Sequence, residues 1–398
     1  MRVALVSSGL IPLPPVKGGA VEEYVYQLTR HLRRLNVDAI AIDARWGGNS
    51  VEIEDVNGAE VVRIPVKPPI IGFKKNIVQE LLFGKAVVKY IKNQDFDIVH
   101  ANTAWTGFIL ALHRSNKMGR FVYTCHNPFW PEDRVHWGEK IVRIIEGNTM
   151  RSSDAIIALN KTMYRAIVDK AGVENNKVVI IPNGVDTDFF KPGLKGDEVL
   201  EKYGLEELKY VLFVGRVSPE KGVHILLKAF KHVIGQASRN IKLVVMGPLS
   251  SSFTSSDVSL YAKTLMNYAE RVLPGKVVFT GPVDRGVLRI LYSNAYCLVL
   301  SSLVEAFGMV IIEAMASGVP VIGSTAGGIP DIVVDGVNGL LFRRGDWRDL
   351  AGKLSMLLND ENLRDRLAVN ARRFAEERYS WRSVALKLRD CYRVLMHA

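Results

Sequence analysis

The feature that most constrains this chain is its alternation of short apolar runs with longer amphipathic stretches. Runs of β-forming residues occur at 3–6, 37–42, 61–64, 97–99, 121–124, 155–158 and 178–181. They resume at 211–214, 243–246, 277–279, 296–300, 320–322 and 339–342. The stretches between them have helical periodicity. After Ala20, for example, the apolar Val21, Tyr24, Val25, Leu28, Leu32 and Leu35 recur on one face. Strand and helix in alternation give parallel sheets with right-handed crossovers. Strands as uniformly apolar as VALV and VLFV suit sheets covered on both faces. The series breaks at 181–193, IPNGVDTDFFKPG, where two prolines and two glycines separate two α/β blocks and predict a linker. From Trp347 onward the pattern is helical only, with Leu350, Leu354, Leu357 and Leu358 on one face, and a last helix is predicted over 381–396 after Ser380. The expected fold class is α/β: two facing, doubly wound Rossmann-like domains over 1–185 and 186–378, with a terminal helix in 379–398.

Composition narrows the class without naming a partner. The 398 residues are 48% hydrophobic and 23% charged, which excludes a largely disordered chain. No apolar run approaches the ~18 residues of a membrane-spanning helix, and the N-terminal run is too short for a signal peptide. Cys125, Cys297 and Cys391 are odd in number and far apart, which fits neither a disulfide framework nor a metal knuckle. A cytoplasmic chain is expected. Lys and Arg number 52 against 41 Asp and Glu, a net charge of +11. Residues 1–190 carry 24 basic and 20 acidic side chains and residues 191–398 carry 28 and 21, so no basic tail accounts for the excess. Nucleic acid, an anionic membrane or a phosphorylated small molecule could each use such a charge.

In open α/β sheets, ligands bind at the carboxyl ends of strands, where loops and helix starts present N–H groups. Four segments hold that position. Pro14-Pro15-Val16-Lys17-Gly18-Gly19-Ala20 follows the first strand; it lacks G-x-G-x-x-G, and its Gly-Gly pair serves either an anion or a tight loop. Gly215-Arg216-Val217-Ser218-Pro219-Glu220-Lys221-Gly222 places two cations after the strand YVLFV, with a helix expected to start near Gly222. Either cation alone is an ordinary solvated charge; together they form a clamp for a diphosphate. In Glu305-Ala306-Phe307-Gly308-Met309-Val310-Ile311-Ile312-Glu313, a helix is predicted from about Gly308, with the amides of Phe307 and Gly308 turned toward an anion. Glu313 is the sole charge in MVIIEAMA, so it either faces solvent or accepts from a partner such as ribose hydroxyls. Thr325-Ala326-Gly327-Gly328-Ile329-Pro330-Asp331 predicts one more helix start, which either favours an anion or is plain helix-start chemistry. Together they suit a nucleoside diphosphate joined to a second group.

These residues resemble a family. EAFGMVIIE is similar to the E-x7-E motif of retaining GT-B glycosyltransferases of family 4, the glycosyl transferases group 1. VGRVSPEKG is similar to that family's G-R-x-x-x-x-K-G segment, IPNGVD to its interdomain signature, PPVKGGAVE to its N-terminal Gly-Gly loop, and HNP to its histidine-bearing loop. The resemblance implies that Arg216 and Lys221 bind the donor diphosphate and that Glu305 holds a hydroxyl of the donor sugar. It implies that Glu313 holds the ribose and that Phe307, Gly308 and Met309 touch the donor through their amides. Gly19 would approach the diphosphate or the acceptor, and His126 the transferred sugar. It further implies a terminal helix that returns to the first domain, front-face transfer to a hydroxyl acceptor with retention, and no resident cofactor or metal. Two strings that imitate a metal motif, Asp95-Phe96-Asp97 and Asp186-Thr187-Asp188, are read as structural.

Three other readings stay on the table. A dehydrogenase lacks its fingerprint here, a GT-B sugar-nucleotide isomerase shares the architecture, and an inactive sugar-nucleotide-binding scaffold would not need Arg216, Lys221, Glu305 and Glu313 all in place. No nucleic-acid module is visible. Residues 63–92 carry Arg63, Lys67, Lys74, Lys75, Lys85, Lys89 and Lys92 against Glu80, interleaved with Ile70, Ile71, Phe73, Ile77, Leu81, Leu82 and Phe83. That segment is either a core-packed helix with a solvated lysine face or a peripheral contact with the inner face of a membrane. Base, sugar and acceptor stay open; the loops 247–249 and 281–288 are the expected base readers.

Overall fold

The structure, a computed structural model, describes residues 1–15, 19–69, 75–115, 118–127, 129–133, 136–206, 209–236, 241–250 and 258–397. The chain forms two compact units, Met1–Gly184 joined by Trp381–Ala398, and Val185–Ser380. The first unit is built on eight strands: β1 (Arg2–Val6), β2 (Asp38–Trp46), β3 (Glu52–Val56), β4 (Ala59–Val66), β5 (Ile98–Ala101), β6 (Arg120–Cys125), β7 (Ala155–Ala158) and β8 (Val178–Ile180). Their order across the sheet is β3-β4-β2-β1-β5-β6-β7-β8. The second unit has six: β9 (Lys209–Val214), β10 (Ile241–Met246), β11 (Val277–Gly281), β12 (Cys297–Leu300), β13 (Val321–Ser324) and β14 (Gly339–Phe342), in the order β11-β10-β9-β12-β13-β14. In both sheets the order reverses beside the first strand, between β1 and β5 and between β9 and β12. Those reversals are the switch points where the loops after neighbouring strands part to opposite faces.

The apolar alternation produces this because Val3, Ala4, Leu5 and Val6 in β1, and Val211, Leu212 and Phe213 in β9, are wholly buried between helical layers. One strand departs from the all-parallel expectation. β3 runs antiparallel to β4, pairing Val56 with Ala59 across Asn57-Gly58. Both turn residues have positive φ, 51° and 87°, as a tight hairpin requires. Its sequence, EIEDV, is too acidic to read as a strand, yet an exposed sheet edge favours charge.

The terminal helix Trp381–His397 belongs to the first unit. Its Trp381, Val384, Ala385, Leu388 and Tyr392 share a core with Tyr24, Val25, Leu28 and Leu32 of the helix Ala20–Arg34. Burying each such large side chain is worth roughly 1.5–3 kcal/mol, so these residues bind the helix to that unit. Gly184 is required at the crossing, since a Cβ there would enter the Trp381 indole.

Candidate functional site

The loops after β9, β12 and β13 are stitched together by their backbones. Leu303 donates its amide to the Glu220 carbonyl at 2.7 Å, and the Ser301 hydroxyl donates to the Lys221 carbonyl at 3.1 Å. The amide of Gly328 donates to the Glu305 carbonyl at 3.2 Å. Gly327, at φ +49, is needed because any Cβ would collide with that same carbonyl. The segment after β13 therefore braces the Glu305 loop. This corrects the expectation of a further anion-binding terminus there: the Gly328 amide is already engaged, and the helix Ile329–Ile332 has only four residues.

On this frame, Lys221 and Glu305 form an ion pair at 2.7 Å, with side chains 22% and 13% exposed, and Ser302 donates to the same carboxylate oxygen at 3.3 Å. An ammonium has three protons, so the pair fixes Lys221 and leaves donors for an anion. Lys221 ends a short 3₁₀ turn, Pro219–Lys221, and the helix begins at Val223 after Gly222. Arg216 lies 3.6 Å from Glu220, which accepts from the Ser218 hydroxyl at 2.6 Å. Burial pushes the Glu220 carboxyl up, but Ser218, its own amide and the charges of Arg216 and Lys221 outweigh this and leave it below the ordinary value. Both cations are thus held by carboxylates before any ligand arrives. The sequence reading missed Glu220, Ser218 and Ser302, although Ser218 and Glu220 lie within the motif itself.

Gly308, at φ 99, precedes the helix Met309–Ala316, whose first amides have no intrahelical acceptor. Phe307 is buried and its ring meets Tyr379 edge-on at 6.1 Å. Glu313 is half-buried, and the hydroxyl of Tyr292 donates to its Oε2 at 2.9 Å. Burial and the facing carboxylate push the Tyr292 hydroxyl well above its ordinary value, so it stays a donor. Tyr292 packs edge-on against Phe190 at 5.7 Å, so a linker residue supports the carboxylate's partner. Arg216, Lys221, Glu305, Phe307, Gly308, Met309 and Glu313 all sit at or beside the β9/β12 switch point.

Gly19 and His126 belong to the first unit. Gly19, at φ +133, opens the helix Ala20–Arg34, and a Cβ there would lie 2.5 Å from Oε2 of Glu22. Glu22 is buried and accepts from the Ser8 hydroxyl; burial raises its carboxyl above the ordinary value despite that bond. Val16, Lys17 and Gly18 lie outside the described residues, as does Pro128 of the histidine loop. His126 follows β6, its ring edge-on to Tyr24 at 5.0 Å, and burial pushes its pKa down to about 4. It is therefore neutral at physiological pH, and its Nε2 is buried with no hydrogen-bond partner among the described residues. Behind Tyr24, His100 bonds Tyr392 and Thr124, each at 2.6 Å, which ties the terminal helix to this region.

The metal-like strings are engaged elsewhere. Asp97 precedes β5, at the end away from the ligand-binding loops, and accepts the Arg2 amide at 2.7 Å. Asp186 accepts the amides of Asp188 and Phe189 at 3.1 and 3.0 Å. Among the described residues, no three His, Cys, Asp or Glu side chains cluster as a metal site. The basic segment also divides. Arg63 pairs with Asp43 at 2.8 Å and with Glu54 at 2.7 Å, which removes it from any lipid-facing group. In the helix Lys75–Ile91, Phe83, Val87, Val88 and Ile91 are buried while Lys85 and Lys89 are exposed, as is Lys92 just beyond. Ile70, Ile71, Phe73 and Lys74 lie outside the described residues, and so does the side chain of Lys75. No described helix is long and apolar enough to cross a membrane.

Paired cations, a helix start and a glutamate that accepts from a hydroxyl thus meet at the switch point of a doubly wound sheet. The family described as Glycosyl transferases group 1 matches residues 197–374, and Glycosyltransferase Family 4 matches residues 18–189. The chain belongs to this glycosyltransferase family. It is 29% identical over 420 residues to the D-inositol 3-phosphate glycosyltransferase of Xylanimonas cellulosilytica, covering 98% of this chain and 96% of that one. Among solved structures, sucrose-phosphate synthase from Thermosynechococcus elongatus superimposes with a TM-score of 0.83 at 23% identity, covering 100% and 99% of the two chains. Anabaena HepE in complex with UDP and glucose gives 0.76 at 22%, covering 99% and 100%. The fold is thus GT-B.

Proposed function

We propose that this chain is a retaining, metal-independent glycosyltransferase that moves a sugar from a nucleoside-diphosphate sugar to a hydroxyl acceptor. The observation that carries the proposal is the Lys221–Glu305 pair at the β9/β12 switch, beside Arg216 and the start of the helix Met309–Ala316. In this reading Arg216, Lys221 and the helix amides receive the diphosphate, Glu313 accepts from the ribose hydroxyls, and Glu305 orients both Lys221 and a sugar hydroxyl. The bond from the anomeric carbon to the phosphate oxygen breaks with its electron pair on that oxygen. Positive charge builds on the sugar, and the two cations stabilise the leaving phosphate in a preorganised field. The acceptor oxygen bonds the anomeric carbon from the same face and passes its proton to the departing phosphate. Gly19 and the neutral His126 of the first unit serve the acceptor and the transferred sugar.

The internal bonding of Asp97 and Asp186 supports metal independence, as does the supply of positive charge by side chains. Loss of transfer in EDTA with rescue by Mn²⁺ or Mg²⁺ refutes that part. The donor assignment is tested by a thermal-shift series with UDP, GDP, ADP and dTDP. Binding at a hundred times Kd adds about 2.7 kcal/mol. UDP leads the series because HepE holds UDP and glucose. If no nucleotide stabilises the chain, the donor site is wrongly placed; a nucleotide that binds without donor hydrolysis or transfer leaves the isomerase or inactive-scaffold reading.

A further inference from the structure

His126 sits on a loop whose shape is set by a carboxylate from outside that loop. Glu146 belongs to the helix Trp137–Arg151 and is 2% exposed. It accepts three hydrogen bonds: from the Tyr123 hydroxyl at 2.7 Å, the Asn127 side-chain amide at 2.6 Å and the Trp130 indole N–H at 2.9 Å. Tyr123 is on β6, just before His126, and Asn127 and Trp130 are within the loop. Asn127 also accepts the Phe129 amide at 3.0 Å, and Arg143 of the same helix donates to the carbonyls of Phe129 and Glu132. Burying a carboxylate costs several kcal/mol, which an apolar side chain of the same volume would avoid. The three donors offset that cost, and a fully satisfied buried network of this kind holds its members in one arrangement. Here the geometry imposed is that of Asn127, Phe129 and Trp130, which follow His126.

We propose that Glu146 is a positioning residue that fixes the His126 imidazole by anchoring Asn127 and Trp130. Its carboxylate touches no reacting group; it acts through the loop. The catalytic consequence rests on the reading of His126 as a contact of the transferred sugar, whereas the positioning itself does not.

Two variants separate anchoring from mere folding. Glu146→Leu keeps the volume and removes all acceptors. Glu146→Gln keeps the anchor, because its carbonyl accepts from Asn127 and Trp130 while its amide donates to the Tyr123 oxygen. The first readout is NMR titration of the histidine-labelled full chain, with the His126 signal identified by its absence in His126→Ala. In the wild type and Glu146→Gln the ring titrates near 4, where burial holds it. In folded Glu146→Leu the loosened ring rises by at least about one unit toward the free value of ~6.5. A ring that stays put in folded Glu146→Leu overturns the proposal. If that variant does not fold, Asn127→Ala, which cuts the link nearest His126, is titrated against the same criterion.

The second readout is turnover of UDP-, ADP-, GDP- or dTDP-glucose, whichever the wild type consumes. Glu146→Leu lowers turnover about ten- to a hundredfold. It lowers it no further in a His126→Ala background, and nucleotide affinity is unchanged. Losses that multiply in the double variant overturn action through His126. If His126→Ala turns over at the wild-type rate, the sugar-contact reading falls, and the titration by itself still decides the positioning.

Discussion

Replacing Glu80 by Gln should stabilise the first unit, and by an amount that depends on pH. Glu80 lies on the helix Lys75–Ile91 beside the start of the helix Ala104–Leu112. Burial pushes its carboxyl up to about 7; the amides of Trp105 and Thr106 pull the other way, and the nearby Glu22 carboxylate adds to the rise. The folded value thus lies above the unfolded one of 4.5. For such a group the stabilisation is complete below the unfolded value and is lost as pH climbs through the folded one. Linkage puts the cost of ionising Glu80 at about 1 kcal/mol at pH 5 and about 3 kcal/mol at pH 8. Gln accepts from the same amides and never ionises. The difference in unfolding free energy between Glu80→Gln and the wild type should therefore grow by about 2 kcal/mol between those two pH values. Urea unfolding followed by tryptophan fluorescence is the assay. Trp46, Trp105, Trp130, Trp137 and Trp381 belong to the first unit and only Trp347 to the second, so the signal reports the right unit. A pH-independent difference refutes the reasoning, because it means Glu80 ionises as easily in the folded chain as in the unfolded one.

Three further outcomes are expected. Tyr292→Phe removes the donor to Glu313, a charge-assisted bond worth about 1.5–3 kcal/mol; calorimetry should show a lower Tm, and nucleotide titration a higher Kd, with an unchanged Kd detaching Glu313 from the ribose. Gly327→Ala puts a methyl against the Glu305 carbonyl at a left-handed position costing roughly 1–2 kcal/mol before any clash; a Tm equal to wild type would show that the Glu305 loop does not depend on this brace. Vesicles of anionic lipid at low salt should retain the chain if exposed Lys85, Lys89 and Lys92 bind lipid, and Lys85→Glu/Lys89→Glu should release it; no flotation ends the membrane reading.

What could be read from the sequence divides along a physical line. Strands were legible wherever both faces are buried, because burial forces continuous apolar runs such as those of β1 and β9. β3 was not, since an edge strand answers to solvent on most of its surface and its acids obscure the Asn57-Gly58 hairpin signal. At the site, the residue types were legible but their partners were not. A diphosphate needs cations, so Arg216 and Lys221 stand out; Glu220 is within reach of Arg216 at i,i+4 spacing, but nothing local says that Glu305 holds Lys221, because that contact closes 84 residues of chain. Glu313 posed the question of its partner as a lone charge in an apolar helix, and the answer, Tyr292, comes from a neighbouring helix whose pattern shows only a core aromatic. Long-range partners decide protonation as well. His126 and His100 are identical in sequence terms to any titrating histidine, yet enclosure lowers them to about 4 and about 3. Enclosure of this kind comes from the assembled fold rather than from neighbours along the chain, so the neutral state of an imidazole at position 126 is not written in its local sequence.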